Sequence, residues 1–296
     1  MLGFKIDQNP TINEVTTMKL ITTTLLTFIA LFLGASVAHS ATTTNVIVTP
    51  TTLFVFDNNN VVGVPLDSSP GSPSGSLASN GTAKTDIYFT PENLFGRPVT
   101  LDEVVSMSYW TKTGAMHNVD PRDWFLAIYT KPYSGDVSTP TWYGDRIGSE
   151  PYFSISLNDP AGVWNQWTTS GPNNQLRFFE STAGAPGANF GSYTDPDWAT
   201  FVNQNALSAQ PYANHEILFF SVQTGSAWAT GFTGQLDGLR VELTDGSVAN
   251  INFEASNLVA TNKDACKKNG WMTLYRSDFS TFKNQGDCIQ YVNTGK

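Results

Sequence analysis

The segment Gly231–Glu254 (GFTGQLDGLRVELTDGSVANINFE) constrains the fold more than any other stretch, because its side chains change character with a period of two. Phe232, Gly234 and Leu236 share one face; Thr233, Gln235 and Asp237 share the other. After Asp237-Gly238 the apolar set resumes in the opposite phase, at Leu239, Val241 and Leu243. A single buried face therefore requires a β-bulge at Asp237-Gly238, where glycine tolerates the kink. The return strand buries Ala249, Ile251 and Phe253 and exposes Asn250, Asn252 and Glu254. A two-residue turn at Asp245-Gly246 would mix the faces. A three-residue loop, Asp245-Gly246-Ser247, keeps them apart and pairs Leu243 with Ala249, Val241 with Ile251 and Leu239 with Phe253.

Short strands are also expected at Asn45–Thr49, Leu53–Phe56, Val61–Leu66, Lys84–Thr90, Val99–Thr113, Tyr152–Leu157, Gln175–Glu180 and Ile217–Thr224. Trp124–Thr130 (WFLAIYT) is too uniformly apolar to be half exposed, which predicts a central strand. Asp57–Asn60 reads as a turn, Asp67–Thr82 as a long exposed loop and Pro196–Asn205 as one short helix. No long amphipathic period runs through the remainder. The predicted fold is all-β: a two-sheet antiparallel β-sandwich of the jelly-roll, concanavalin/lectin-like kind over residues 41–260.

Composition agrees with a turn-rich β-protein, since only 14% of the 296 residues are charged against roughly 25% in an average domain. Leu20–Leu33 is apolar, preceded by Lys19 and followed by Ala38-His39-Ser40, the pattern of a secretory signal peptide. At fourteen residues it falls short of the roughly 20 needed to span a bilayer. Residues 1–17 are polar and precede Met18, so Met18 is the expected start, with 18–40 as the signal segment. The reading is a secreted protein, extracellular or periplasmic, with no stable membrane span once that segment is removed. The net charge of −9, with no basic run, argues against nucleic acid as a partner.

The cysteines, Cys266 and Cys288, are expected to bond to each other in an exported chain. They close a C-terminal segment, 261–296, that is too short to bury a core unaided. Within it stand Asn262-Lys263-Asp264, Gly270-Trp271 and Phe282-Lys283-Asn284-Gln285-Gly286. This pattern resembles a C-terminal motif of uncharacterised exported bacterial proteins, and Gly231–Glu254 is similar to the closing strands of lectin-like sandwich domains. The resemblance implies secretion and brings no catalytic residue. Trp271, Phe279 and Phe282 are expected to cluster beneath the disulfide, as a recognition tag or as a stapled end that resists proteolysis.

Chemistry is sought in the loop-rich region 131–215. Trp142, Tyr143, Trp164, Asn165, Trp167 and Trp198 supply the aromatic faces and amides that a sugar ring requires: C–H edges stack on the ring and hydroxyls meet the amide. The same indoles also suit packing under long loops. A glycosidase needs two facing carboxyls, for which Asp145 with Glu150, Asp195 with Asp197, and Glu180 are the candidates. His215-Glu216 begins like a zincin motif, but Phe219 stands where the second histidine belongs. No cofactor is required by any motif; structural calcium has candidates in Asp57, Asp237 and Glu254 without a demanding spacing. The functional expectation is a non-enzymatic protein that binds a glycan or another cell-surface component. A glycoside hydrolase and a structural surface or matrix protein are the alternatives.

Overall fold

The computed structural model describes residues 40–296 apart from 53–54, 73–74, 114–121, 155–158, 208, 227–230, 257–258 and 277–279. The signal-segment reading and Phe279 of the expected tail cluster fall outside the described residues. No helix among the described residues is long and apolar enough to cross a membrane.

Thirteen strands run through the described residues: β1 (Thr43–Val48), β2 (Phe56–Asn58), β3 (Val61–Pro65), β4 (Gly75–Ser79), β5 (Asp86–Phe89), β6 (Val104–Lys112), β7 (Phe125–Thr130), β8 (Arg146–Ser149), β9 (Asn165–Thr168), β10 (Phe179–Glu180), β11 (Ile217–Gln223), β12 (Gln235–Leu243) and β13 (Val248–Phe253). They form two sheets, the β-sandwich that the alternating pattern predicts. One sheet has the order β1-β13-β12-β4-β3, with β6 also on β12 and β9 outside β6. The other runs β10-β8-β7-β11-β5-β2, which makes Trp124–Thr130 central as expected. Between the named strands pairing is antiparallel except for β1 and β13, which run parallel. Short helices α1 (Pro91–Phe95) and α2 (Trp198–Val202) interrupt the strands, and α3 (Gln285–Thr294) lies in the tail.

The core follows from the period. Leu236, Leu239, Val241 and Leu243 of β12, with Ala249, Ile251 and Phe253 of β13, face Leu126 and Ile128 of β7 and Phe220 and Val222 of β11 in one buried cluster. Buried indoles are hydrogen-bonded, as they must be away from water. Trp124 Nε1 donates to Gly234 O at 2.7 Å, Trp167 Nε1 to Thr111 Oγ1 at 2.6 Å and Trp198 Nε1 to Val104 O at 2.8 Å.

The bulge occurs where the phase change requires it. Asp237 lies opposite Trp110 but Arg240 opposite Ser108, so β12 carries one extra residue, with Gly238 at φ +57°. The core-facing residues of the hairpin are as expected, but Asn252 and Glu254, expected to be exposed, are buried at 6% and 0% exposure. The register is corrected as well: Leu239 pairs with Ile251 and Val241 with Ala249. The three-residue loop is Thr244-Asp245-Gly246, one position earlier than predicted. Gly246 N–H donates to Leu243 O at 3.0 Å, and Gly246 takes φ +83°. A type I turn with a bulge puts its left-handed residue last, and glycine belongs there. Sliding the loop by one residue moves the pairing by two, so each side chain stays on its face.

Two predicted loops contain strands. Within Asp67–Thr82, Gly75–Ser79 is a fully buried strand between β3 and β12. Its small residues are packing requirements: a Cβ on Gly75 would lie 2.4 Å from Glu254 Oε2. Asn165–Thr168 is likewise an edge strand on β6 rather than loop. Of the strand expected at Tyr152–Leu157, residues 155–157 lie outside the described residues, Tyr152 and Phe153 belong to a short 3₁₀ helix, Pro151–Phe153, and the strand β8 precedes it. Of Gln175–Glu180 only Phe179–Glu180 is strand, and Phe56–Asn58 extends into the predicted Asp57–Asn60 turn.

The tail has its own small core. Cys266 and Cys288 are bonded, and Ala260, Leu274, Phe282 and Tyr291 pack with them, Trp271 at the margin. Arg276 sits over the Phe282 ring at 4.7 Å and pairs with Asp287 at 2.6 Å.

Candidate ligand-binding site

The outer face of the seven-stranded sheet is the polar phase of the same alternation. Asn45 on β1, Asn250 and Asn252 on β13, Arg240 on β12, Ser108 and Trp110 on β6, and Gln166 on β9 all fall on it, because their neighbours in sequence point into the core. These residues line a cavity of about 420 Å³ together with Pro70–Ser72 and Ser280 of the tail. A second depression of about 390 Å³ continues past Trp110 to Trp164, Gln166 and Asn173. Trp110 is shared by both, so the two form one groove with an indole at its middle.

The bulge prepares that indole's place. A Cβ on Gly238 would lie 3.0 Å from Trp110 Cδ1, so the absent side chain lets the ring lie against the β12 backbone. Trp164 is held from the side: its Nε1 donates to Asp67 Oδ1 at 3.1 Å, and Lys112 Nζ sits 6.0 Å from the ring centroid. Burial acts to raise the Asp67 pKa, but hydrogen bonds from Lys112, Gln235 and Trp164 outweigh it and hold the carboxyl below its ordinary value. Asn250 Nδ2 donates to Asn45 Oδ1 at 3.0 Å, and Asn252 Nδ2 to Glu254 Oε1 at 2.7 Å. Asn252 Oδ1 is buried without a hydrogen-bond partner among the described residues. Among the described residues, no Asp or Glu lines either depression.

The predicted aromatic set is divided among three places. Trp164 and Asn165 belong to the groove, with Asn165 turned behind it toward Pro160 O and Val163 O. Trp167 and Trp198 are core residues, 0% and 3% exposed, and are corrected from binding candidates to packing ones. The alternation of β9 explains Trp167, which points inward between Gln166 and Thr168. Trp142 stands on the outer face of the other sheet, 46% exposed and stacked on Tyr129 with centroids 5.2 Å apart. Tyr143 beside it is 3% exposed, packed with Ala127 and Tyr129, and is likewise corrected to a packing residue. Trp110, Gln166, Asn250, Asn252 and Asn45 are the residues that sequence reasoning missed. Their signal was present: an indole in the polar phase of a strand, Ser106-x-Ser108-x-Trp110-x-Lys112, marks a solvent-facing ring.

The carboxylate pairs separate into structural tasks. Asp145 is buried, accepting from Tyr133 Oη at 2.8 Å and facing His215 Nδ1 at 2.5 Å. Glu180 is bound to the Tyr212 hydroxyl and accepts from Leu207 N at 3.1 Å. Asp197 caps α2 through Thr200 N, and Asp195 accepts from Ser192 N in the preceding turn. The calcium candidates are likewise split. Asp57 is on the six-stranded sheet, whereas Asp237 and Glu254 are buried beside the other. Asp237 accepts from the backbone N–H groups of Ser69, Gly238 and Phe253. No group of three or more His, Cys, Asp or Glu among the described residues is placed to hold a metal ion.

These buried acids give the protein an unusual pH response. Burial pushes Asp123 and Glu254 up to about 8 and Asp237 up to about 6. Each folded pKa exceeds the unfolded value of about 4, so the folded state binds more protons between the two, and stability falls as pH rises through that window. Thermal unfolding at constant ionic strength is expected to show a Tm lower by on the order of 5 °C at pH 8.5 than at pH 5. Asp123→Asn should flatten part of that slope, and a Tm that rises over the interval would contradict the assignment.

No family model, no curated protein and no solved structure matches this chain. The class it belongs to is thus defined by its own geometry: a two-sheet β-sandwich with an aromatic and amide-lined groove on one outer face and a disulfide-closed tail at the groove's edge.

Proposed function

We propose that this is a secreted, non-enzymatic protein that binds a neutral glycan across the outer face of the seven-stranded sheet. The observation that carries the reading is Trp110 lying between two depressions lined by Asn45, Asn250, Asn252, Gln166 and Arg240. A pyranose has an apolar face that stacks on an indole and a rim of hydroxyls that both donate and accept, which is what primary amides match. With no carboxylate pair lining the groove among the described residues, the arrangement favours holding a sugar over cleaving it. The Cys266–Cys288 bond supports an oxidising compartment, extracellular or periplasmic.

A glycan-array screen of the protein with Trp110→Ala tests this. Loss of one stacking platform is expected to weaken binding by about tenfold with Tm nearly unchanged, since the ring is only partly buried. Trp142→Ala, on the other sheet, should bind as the parent does. If the parent retains no glycan, or Trp110→Ala binds equally well, the reading fails.

A further inference from the structure

The opposite face of the molecule carries a second cavity of different chemistry. It measures about 330 Å³ and lies on the outer face of the six-stranded sheet. Its floor is Gly148 of β8, where a Cβ would lie 2.9 Å from Phe179 Cζ; the glycine lets that ring lie flat across the strand. Phe125 and Phe190 add two more aromatic rings, and Phe190 is 83% exposed. Arg146 and Glu150 stand on the same side of the strand at its two ends, four residues and so about 13 Å apart.

Neither charged group has an ion-pair partner among the described residues. Arg146 uses Nε to donate to Ser181 Oγ at 2.8 Å, and no carboxylate among the described residues pairs with its guanidinium. Lys84, the other cation in the cavity, is already paired with Asp86 at 2.7 Å. The Glu150 side chain has no hydrogen-bond partner among the described residues, and burial alone lifts it to about 7. A half-buried guanidinium without a counter-ion is the group most ready to take a carboxylate in two parallel hydrogen bonds. The aromatic floor between it and Glu150 suits the C–H faces of sugar rings, and an un-ionised Glu150 can donate to a hydroxyl at the far end.

We infer that this cleft binds an acidic oligosaccharide, with a uronic-acid carboxylate on Arg146 and the sugar rings on Phe125, Phe179 and Phe190. This site is separate from the neutral-glycan groove and does not depend on it.

The test titrates the full-length protein with trigalacturonate and, in parallel, with its uncharged methyl ester, following binding by calorimetry and backbone amide shifts. The acid is expected to bind at least about tenfold more tightly than the ester, the worth of one charge-assisted contact. Arg146→Gln should abolish the difference, whereas Trp110→Ala should leave it intact. Shifts should gather on Phe125, Gly148 and Gln223, a readout that stands even if Arg146→Gln fails to fold. Equal binding of acid and ester, no binding of either, an unaltered preference in Arg146→Gln, or shifts gathered on Trp110 and Gln166 would each overturn the inference.

Discussion

Trp167→Ala is expected to destabilise the protein by about 3–5 kcal/mol, the usual range for removing a large buried aromatic side chain. The ring is 0% exposed, and the substitution both opens a cavity between the sheets and takes the indole donor from Thr111 Oγ1. Thr111 also donates to Asp123 Oδ2 at 2.7 Å, so the substitution disturbs one of the contacts of a buried carboxyl that also accepts from Trp124 N. Chemical denaturation should show a lower midpoint with an unchanged slope. Ligand binding at low temperature, where the variant is still folded, should persist, because Trp167 faces away from Trp110 and Gln166 across the sheet. A variant that keeps its stability and loses its ligand would place Trp167 in the site and contradict the core assignment.

Removal of the Cys266–Cys288 bond is the second large effect. The bond closes a segment with a sequence separation of 22 residues, worth about 3 kcal/mol in the chain-entropy model. Its cluster of Ala260, Leu274, Phe282 and Tyr291 is distinct from the core between the sheets. The loss is therefore expected to be local. In the Cys266→Ser/Cys288→Ser variant, protease should cut within residues 261–296 many times faster than in the parent, while the sandwich unfolds at nearly the same temperature. A single cooperative transition lowered as a whole would show instead that the tail and the sandwich are one folding unit. Because Ser280 lines the groove, glycan affinity in this variant also reports whether the tail forms part of the binding wall.

The alternation of side chains in Gly231–Glu254 was enough to determine the sheet, the bulge at Asp237-Gly238 and the identity of the buried face, because all three depend on a local period. The same held for Trp124–Thr130 as a central strand, for α2 near Pro196–Asn205 and for the disulfide, since the sequence offers only two cysteines to pair. The hairpin register was legible to within one step of the loop; the backbone preference of Gly246 decided the step.

What failed was long-range. Gly75–Ser79 has the composition of a loop and is a strand only because Glu254 and Ala255 cross close against it. Aromatic richness in 131–215 pointed to one site, but the chain there feeds both sheets, so Trp142 and Trp164 end on opposite faces while Trp167 and Trp198 go to the interior. The groove itself joins residues from β1, β6, β9, β12 and β13, which lie as far apart in sequence as Asn45 and Asn250. Local patterning determines which way each side chain points; which strands become neighbours is decided by burial of the shared core, and only that step brings an indole on β6 among amides from both ends of the domain.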